Sequence, residues 1–173
     1  MKKTLYENPW FQVEQDGQWH YVNEKNSDNG AVVLCYVGND LVLVTVPRAA
    51  HGAELLEAPR GYGDPGEQAI QAAARELFEE TGYQSKALEF LGTVKPNTAI
   101  LTTNVNVFRC HLPANTQPVQ HTSTAADFNE ISKVERVSPP QLAKYIANGR
   151  LNCGITLAAL MLAQHMGSES GNK

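Results

Sequence analysis

Gly61-Tyr62-Gly63-Asp64-Pro65-Gly66-Glu67 opens, and Arg75-Glu76-Leu77-Phe78-Glu79-Glu80-Thr81-Gly82-Tyr83 closes, the stretch on which the reading of this chain turns. Within it Ile70, Ala73, Ala74, Leu77, Phe78 and Thr81 recur at helical spacing as one apolar stripe. The periodicity predicts an amphipathic helix over about residues 67–81. Asp64-Pro65-Gly66-Glu67 carries start signals, with Asp64 as N-cap, Pro65 in the first turn and Glu67 three residues after Asp64. Gly82 is the stop, because glycine takes the left-handed conformation that closes a helix.

At roughly 100° per residue, Glu76 and Glu80 lie about 40° apart beside the apolar stripe, with Glu79 about 60° beyond Glu76. Such like-charge crowding costs an isolated helix about 0.2–0.5 kcal/mol per pair. A bound divalent cation would offset that cost. Carboxylate oxygens on adjacent turns suit Mg²⁺ or Mn²⁺, which keep several waters and complete their shell with phosphate oxygens. A solvated acidic helix face is the plainer alternative for a Glu-Glu pair. Arg75 is spaced to reach Glu79 one turn on and Glu67 at the helix start, and so to orient carboxylates. Glu67 either caps the helix or contacts a metal, directly or through water.

The full pattern is a glycine, a glutamate after five residues, and after seven more Arg-Glu-Leu-Phe-Glu-Glu-Thr-Gly-Tyr. It resembles the signature of the Nudix hydrolases at every fixed polar and glycine position. The one departure is Tyr83, where the family has an aliphatic residue in a packing role. The resemblance implies an α/β fold over residues 30–165, an α/β/α sandwich with a mixed sheet and the signature as loop-helix-loop. Leu55-Leu56-Glu57-Ala58-Pro59-Arg60-Gly61 and Val44-Thr45-Val46-Pro47-Arg48 are similar to segments of the ADP-ribose pyrophosphatase branch. Pro96 falls thirteen residues after Tyr83, near that branch's downstream proline but short of its usual spacing.

Carried over by position, the resemblance implies Glu76 and Glu80 as principal metal ligands, with Glu79 and Glu67 beside them and the Arg60 or Gly61 carbonyl as a further ligand. Arg48 would contact substrate phosphate or ribose, Glu57 would support the metal or the substrate, and Pro96 would lie on the substrate side. Glu79, Arg75 and Glu130 are the catalytic candidates, Glu130 as general base with Asp127 as its alternative. The implied reaction is Mg²⁺-dependent hydrolysis of the diphosphate linkage of ADP-ribose or a related nucleoside-diphosphate sugar, in a homodimer. Dinucleoside polyphosphates, NADH and capped RNA are alternative substrates, since the box is common to all these activities. A nucleotide sensor without turnover is the alternative from another class; it predicts a decayed box, whereas this one is intact.

Composition agrees with such an enzyme. The chain has 173 residues, 42% of them hydrophobic, enough for one domain with a substantial core. The net charge is −4 and Lys and Arg never form a run, so a nucleic-acid surface is not expected. Cys35, Cys110 and Cys153 are odd in number and lack Cys-x-x-Cys spacing; they read as inert thiols of a reducing cytoplasm rather than a disulfide framework or zinc site. No apolar run follows Lys2-Lys3 as a signal peptide requires, and the run 155–163 is too short to cross a bilayer. The five histidines show no metal-binding spacing.

Outward from the box, residues 10–13 and 19–22 flank Asp16-Gly17 as a short hairpin. Residues 31–37 and 41–46 form a better buried hairpin around Gly38-Asn39-Asp40. Strands are expected over 87–94, 104–111 and 130–137, a polar loop over 117–128, and helices over 141–147 and 155–165. The expected organisation is an N-terminal β-hairpin region over 1–29, the catalytic domain over 30–166 and a disordered tail over 167–173. Trp10, Phe11, Trp19 and Tyr21 of the hairpin either offer a stacking face for a base or fasten the hairpin to the core.

Overall fold

Strand β4 (Ala31–Val37) is apolar at every position, and all of it but Tyr36 is buried. Such a run fits a strand covered on both faces rather than one. The computed structural model, which describes residues 1–119 and 131–166, covers it in that way. β4 pairs in parallel with β9 (Val105–Leu112), from Ala31 opposite Asn106 to Val37 opposite Leu112. At its far end the Gly38-Asn39 turn leads into an antiparallel contact with β5 (Asp40–Arg48). At its near end β4 meets the two-residue β7 (Arg60–Gly61). β5 continues the sheet to β10 (Lys133–Val137) and also pairs with β6 (Ala53–Glu57), while β8 (Glu89–Val94) flanks β9. The order is β10-β5-β4-β9-β8, and only the β4–β9 pair is parallel.

The period-two alternation of β4 sorts its side chains between two cores. Val32 and Leu34, with Leu41 and Leu43, pack towards α2 (Pro139–Ala147) and α3 (Gly154–Met166). Ala31, Val33, Cys35 and Val37 pack with Val42 against Ala72, Ala73 and Leu77 of α1 (Ala69–Thr81). The result is the α/β/α sandwich with a mixed sheet that the sequence implied. Leu77 is fully buried, so its truncation to alanine would cost about 2–5 kcal/mol. The three cysteines are buried and unbridged. Among the described residues, no helix is long and apolar enough to cross a membrane.

The N-terminal region departs from the expected hairpin. β2 (Phe11–Asp16) and β3 (Trp19–Glu24) form it, turning at Gly17 with φ 59°, but β1 (Lys2–Glu7) adds a third antiparallel strand. β1 is exposed throughout, so it lacks the apolar alternation that betrays a half-buried strand. β6 and β7 were likewise unforeseen. The expected strand over 130–137 starts at Lys133. Trp10 and Trp19 are 72% and 70% exposed, so they do not fasten the sheet to the core. That task falls to β3, where the Val22 N–H donates to the Ile100 carbonyl at 2.7 Å and the Val22 carbonyl accepts from the Thr102 N–H at 3.1 Å. Most of the expected loop over 117–128, and the tail over 167–173, lie outside the described residues.

Candidate active site

The signature helix begins later than its start signals predict. Asp64-Pro65-Gly66-Glu67 forms a turn of its own: Glu67 N–H donates to the Asp64 carbonyl at 2.9 Å, and Glu67 Oε2 accepts from Asp64 N–H at 2.8 Å. Gly66 has φ +84° there, which keeps the turn from running on as helix. Gln68, rather than Asp64, is the N-cap, and its N–H donates to Gln71 Oε1 at 2.9 Å. The end falls where expected, at Gly82, with φ 74° and its N–H on the Phe78 carbonyl.

The inward face is also rotated from the predicted stripe. Ala72, Ala73, Leu77 and Thr81 are buried, whereas Ile70 and Ala74 are exposed. The rotation brings Glu76, only 13% exposed, and the half-buried Glu80 onto the packed side rather than beside it. Local partners hold them there. Glu80 Oε2 accepts from the Arg60 N–H at 3.0 Å, and Glu76 Oε1 accepts from Arg75 Nη1 at 2.9 Å. The Glu76 carboxylate also lies over Gly61, where a Cβ would come within 2.1 Å of Oε1. Glycine at position 61 is therefore a steric requirement of the Glu76 rotamer.

Arg75 organises the acidic face. Its Nε and Nη2 donate to Glu67 at 3.2 and 3.0 Å, its Nη1 donates to Glu79 Oε2 at 2.9 Å as well as to Glu76, and its Nη2 reaches the Tyr62 carbonyl at 2.8 Å. The predicted reach to both Glu67 and Glu79 is present. Glu67, at the turn, holds Arg75 and the turn itself, not the helix N-terminus.

Glu57 organises a second charged group at the end of β6. Although 2% exposed, it takes Arg48 Nε and Nη2 on its two oxygens at 2.9 Å each. It also accepts from Arg60 Nε at 2.8 Å. β5 carries Arg48 and β7 carries Arg60, so the β5–β6 pairing and the bend into β7 assemble this fork from residues distant in sequence. Arg48, Arg60, Arg75, Glu76, Glu79 and Glu80 all line one cleft of about 390 Å³. Pro96 does not. It lines an adjoining hollow of about 730 Å³, whose wall Arg48, Glu57 and Arg60 share with Cys153. Glu130 and Asp127 lie outside the described residues.

The Nudix domain family matches residues 27–153. The chain belongs to the Nudix family. Over 192 residues it is 29% identical to a Caenorhabditis elegans protein whose name places it among the nudix hydrolases, covering 96% of this chain and 82% of that one. Its fold matches the crystal structure of an ADP compounds hydrolase with a TM-score of 0.78 at 18% identity, over 99% of this chain and 94% of the other. By class this Nudix protein is a pyrophosphatase, a hydrolase of phosphorus anhydrides.

The electrostatics of the Nudix site divide its carboxylates. Burial, and then the neighbouring Glu76 charge, push Glu80 up to about 8 despite the Arg60 N–H. Burial also raises Glu76, against the pull of Arg75. Burial is the largest influence on Glu57 too, but there the two guanidiniums outweigh it and hold the carboxyl below its ordinary value. Hydrogen bonds from Arg75 hold Glu67 low. Among the described residues, no three His, Cys, Asp or Glu side chains are already gathered as a cation cage; Glu67, Glu76 and Glu79 are each bonded to Arg75. Sequence reading missed Tyr62 and Thr103 of the cleft wall; nothing in the spacing of a lone tyrosine and threonine marks them.

Proposed function

We propose that this enzyme hydrolyses the diphosphate linkage of ADP-ribose or a related nucleoside-diphosphate sugar, with Mg²⁺ or Mn²⁺, releasing a nucleoside monophosphate and a sugar phosphate. One observation carries the reading: two inward-turned carboxylates, Glu76 and Glu80, share a cleft with the guanidiniums of Arg48 and Arg60. Anionic oxygens of a diphosphate have donors on one side and need a cation on the other. The likeness to an ADP compounds hydrolase along nearly the whole chain supports the ADP-containing substrate class.

The donor set suits a hard divalent cation. Among the described residues Glu80 receives a backbone N–H but no guanidinium hydrogen bond, and its pKa, raised to about 8, shows a site that disfavours the carboxylate form unless a cation is supplied. Glu76 and Glu80 would hold the cation, with the Arg60 or Gly61 carbonyl and with Glu79, which is 41% exposed and is held by Arg75 alone among the described residues. Bound there, the cation would neutralise diphosphate charge and activate the attacking water.

The chain's own groups account for the rest. Arg48 and Arg60, fixed by Glu57, present to substrate phosphates, in a planar fork, N–H groups left over from their bonds among the described residues. Arg75 holds Glu76 and Glu79 in place, and Glu67 holds Arg75. Glu130, with Asp127 as second candidate, completes the assignment as general base. The exposed Trp10 and Trp19 of residues 1–29 are the aromatic surface that a homodimer or a bound base would cover; residues 30–166 form the catalytic domain of a cytoplasmic enzyme.

Incubation with Mg²⁺ and a panel of ADP-ribose, ADP-glucose, GDP-mannose, NADH and diadenosine polyphosphates, with chromatographic resolution of products, tests the reading. Preferential conversion of ADP-ribose to AMP and ribose 5-phosphate is expected. Turnover of another panel member alone would redirect the substrate, and absence of any turnover would overturn the reading.

A further inference from the structure

Glu24 is the last residue of β3, in the N-terminal sheet, and is not itself part of the cleft wall. Its carboxylate nevertheless accepts hydrogen bonds from two groups that are. Tyr62 OH donates to Glu24 Oε1 at 2.7 Å, and Thr103 Oγ1 donates to Oε2. A third wall residue, Ser27, donates its hydroxyl to the Glu24 carbonyl at 2.9 Å. One residue of the appended sheet thus holds three side chains of the catalytic cleft, drawn from three separate segments.

Tyr62 is the member with most to position. Tyr62 is 49% exposed and lines the cleft, and its ring comes within 3.5 Å of where a Cβ on Gly30 would stand. Its backbone adjoins Gly61, over which Glu76 packs, and its carbonyl accepts from Arg75. A half-exposed phenol without an anchor would sample several rotamers, and a ligand that must order such a side chain binds more weakly for it. A charged acceptor fixes the phenol beforehand through a short, strong bond. Thr103, 4% exposed, fixes the other carboxylate oxygen in turn.

We propose that Glu24 is a positioning residue that sets substrate affinity through Tyr62, by presenting the phenol ring as a preformed wall against the nucleoside or sugar portion of the substrate. The proposal rests on the hydrolase reading for the identity of that substrate. Because Glu24 acts on the wall rather than on the carboxylates of α1, its loss changes KM and leaves kcat close to its original value.

A double-mutant cycle on the full chain tests this, with Glu24→Ala, Tyr62→Phe and the pair. Mg²⁺-dependent turnover of ADP-ribose and calorimetric binding of AMP and ADP-ribose are both read, and a melting curve confirms that each variant is folded. Tyr62→Phe removes one hydroxyl and keeps the ring, so it tests the bond without threatening the fold. KM and Kd are expected to rise about five- to tenfold in each single variant, with kcat within about twofold. The pair is expected to be no worse than either single, as for residues acting through one bond. Glu24→Gln, which keeps one acceptor, is expected to restore part of the affinity. Additive effects, unchanged KM and Kd in the folded single variants, or a loss confined to kcat would overturn the inference while leaving the hydrolase reading intact. Binding without turnover would overturn that reading, and the same cycle in Kd would then decide the role of Glu24. A chain that binds neither AMP nor ADP-ribose would overturn both.

Discussion

Glu57 and Glu80 are both drawn out of water, yet the protein keeps one charged and pushes the other towards its neutral form. Glu57 sits between Arg48 and Arg60 and titrates below the ordinary carboxylate range. Glu80 has Glu76 as its charged neighbour on the helix and titrates near 8. Where the chain supplies its own cations, the carboxylate is a structural clamp that aims two arginines. Where it supplies too few, burial and the neighbouring Glu76 push the carboxylate towards its neutral form. The difference comes from topology: β5, β6 and β7 converge on Glu57, whereas α1 places its glutamates one turn apart with Arg75 on a neighbouring side.

The comparison breaks most visibly at Glu57. Glu57→Ala leaves Arg48 and Arg60 with no carboxylate between them, and removing one partner of a buried charge group costs about 3–5 kcal/mol. Urea denaturation should show a loss of that order, together with loss of turnover. A variant that melts like the parent would mean that Glu57 is no clamp.

Glu80→Gln should act in the opposite sense. It removes a raised-pKa carboxylate at nearly constant volume, so the folded state should be as stable as the parent or more so. Turnover should fall by about 10²–10³-fold, the scale of losing one preorganised electrostatic group at a reacting centre. A thermally stable Glu80→Gln enzyme with full activity would remove Glu80 from the site.

Gly61→Ala sharpens the comparison at lower cost. Its Cβ would stand 2.1 Å from Glu76 Oε1, and the carboxylate can swing away because it ends a flexible side chain. Stability should change by about 1 kcal/mol or less, while activity falls about 10–100-fold through displacement of Glu76. Equal loss of stability and activity would point to a backbone role for Gly61 instead.

Much of this was legible in the chain. Leu77, Thr81 and Gly82 mark one helix end by local chemistry, and the unbroken run of β4 announces a strand covered on both faces. The start of α1 was misread because Asp64-Pro65-Gly66-Glu67 satisfies both a helix cap and a free turn, and only the positive φ of Gly66 separates them. The inward rotation of Glu76 and Glu80 was invisible, since it depends on the Arg60 N–H and on Arg75, not on hydrophobic period. β7 is two residues long, and β6 is a strand because β4 pairs with β5 only near the Gly38-Asn39 turn, which leaves residues 44–48 on that edge of β5 to β6. The arginine fork on Glu57 follows from those two strands, so no spacing rule reveals it.

A pH series separates the two carboxylates in the metal-free protein. Glu80 has a folded pKa of about 8 against an ordinary 4.5, so between those values the folded state binds the proton that the unfolded state releases. Its protonation supports folding below pH 4.5, and that support is lost as pH rises towards 8. Glu57 has a folded pKa below 4.5, so its contribution is present above that value and is lost as pH falls through the folded pKa. Melting in EDTA should therefore show the parent losing ground to Glu80→Gln as pH climbs from 4.5 to 8, at about 2–4 °C for each kcal/mol in a chain of this length. Over the same interval the gap between the parent and Glu57→Gln should stay constant, closing only in more acidic buffer. Mg²⁺ should cancel the first trend and leave the second untouched, because the cation supplies to Glu80 the charge that Arg48 and Arg60 already supply to Glu57. Parallel melting curves for the parent and Glu80→Gln across the whole range would show that the two carboxylates are held alike.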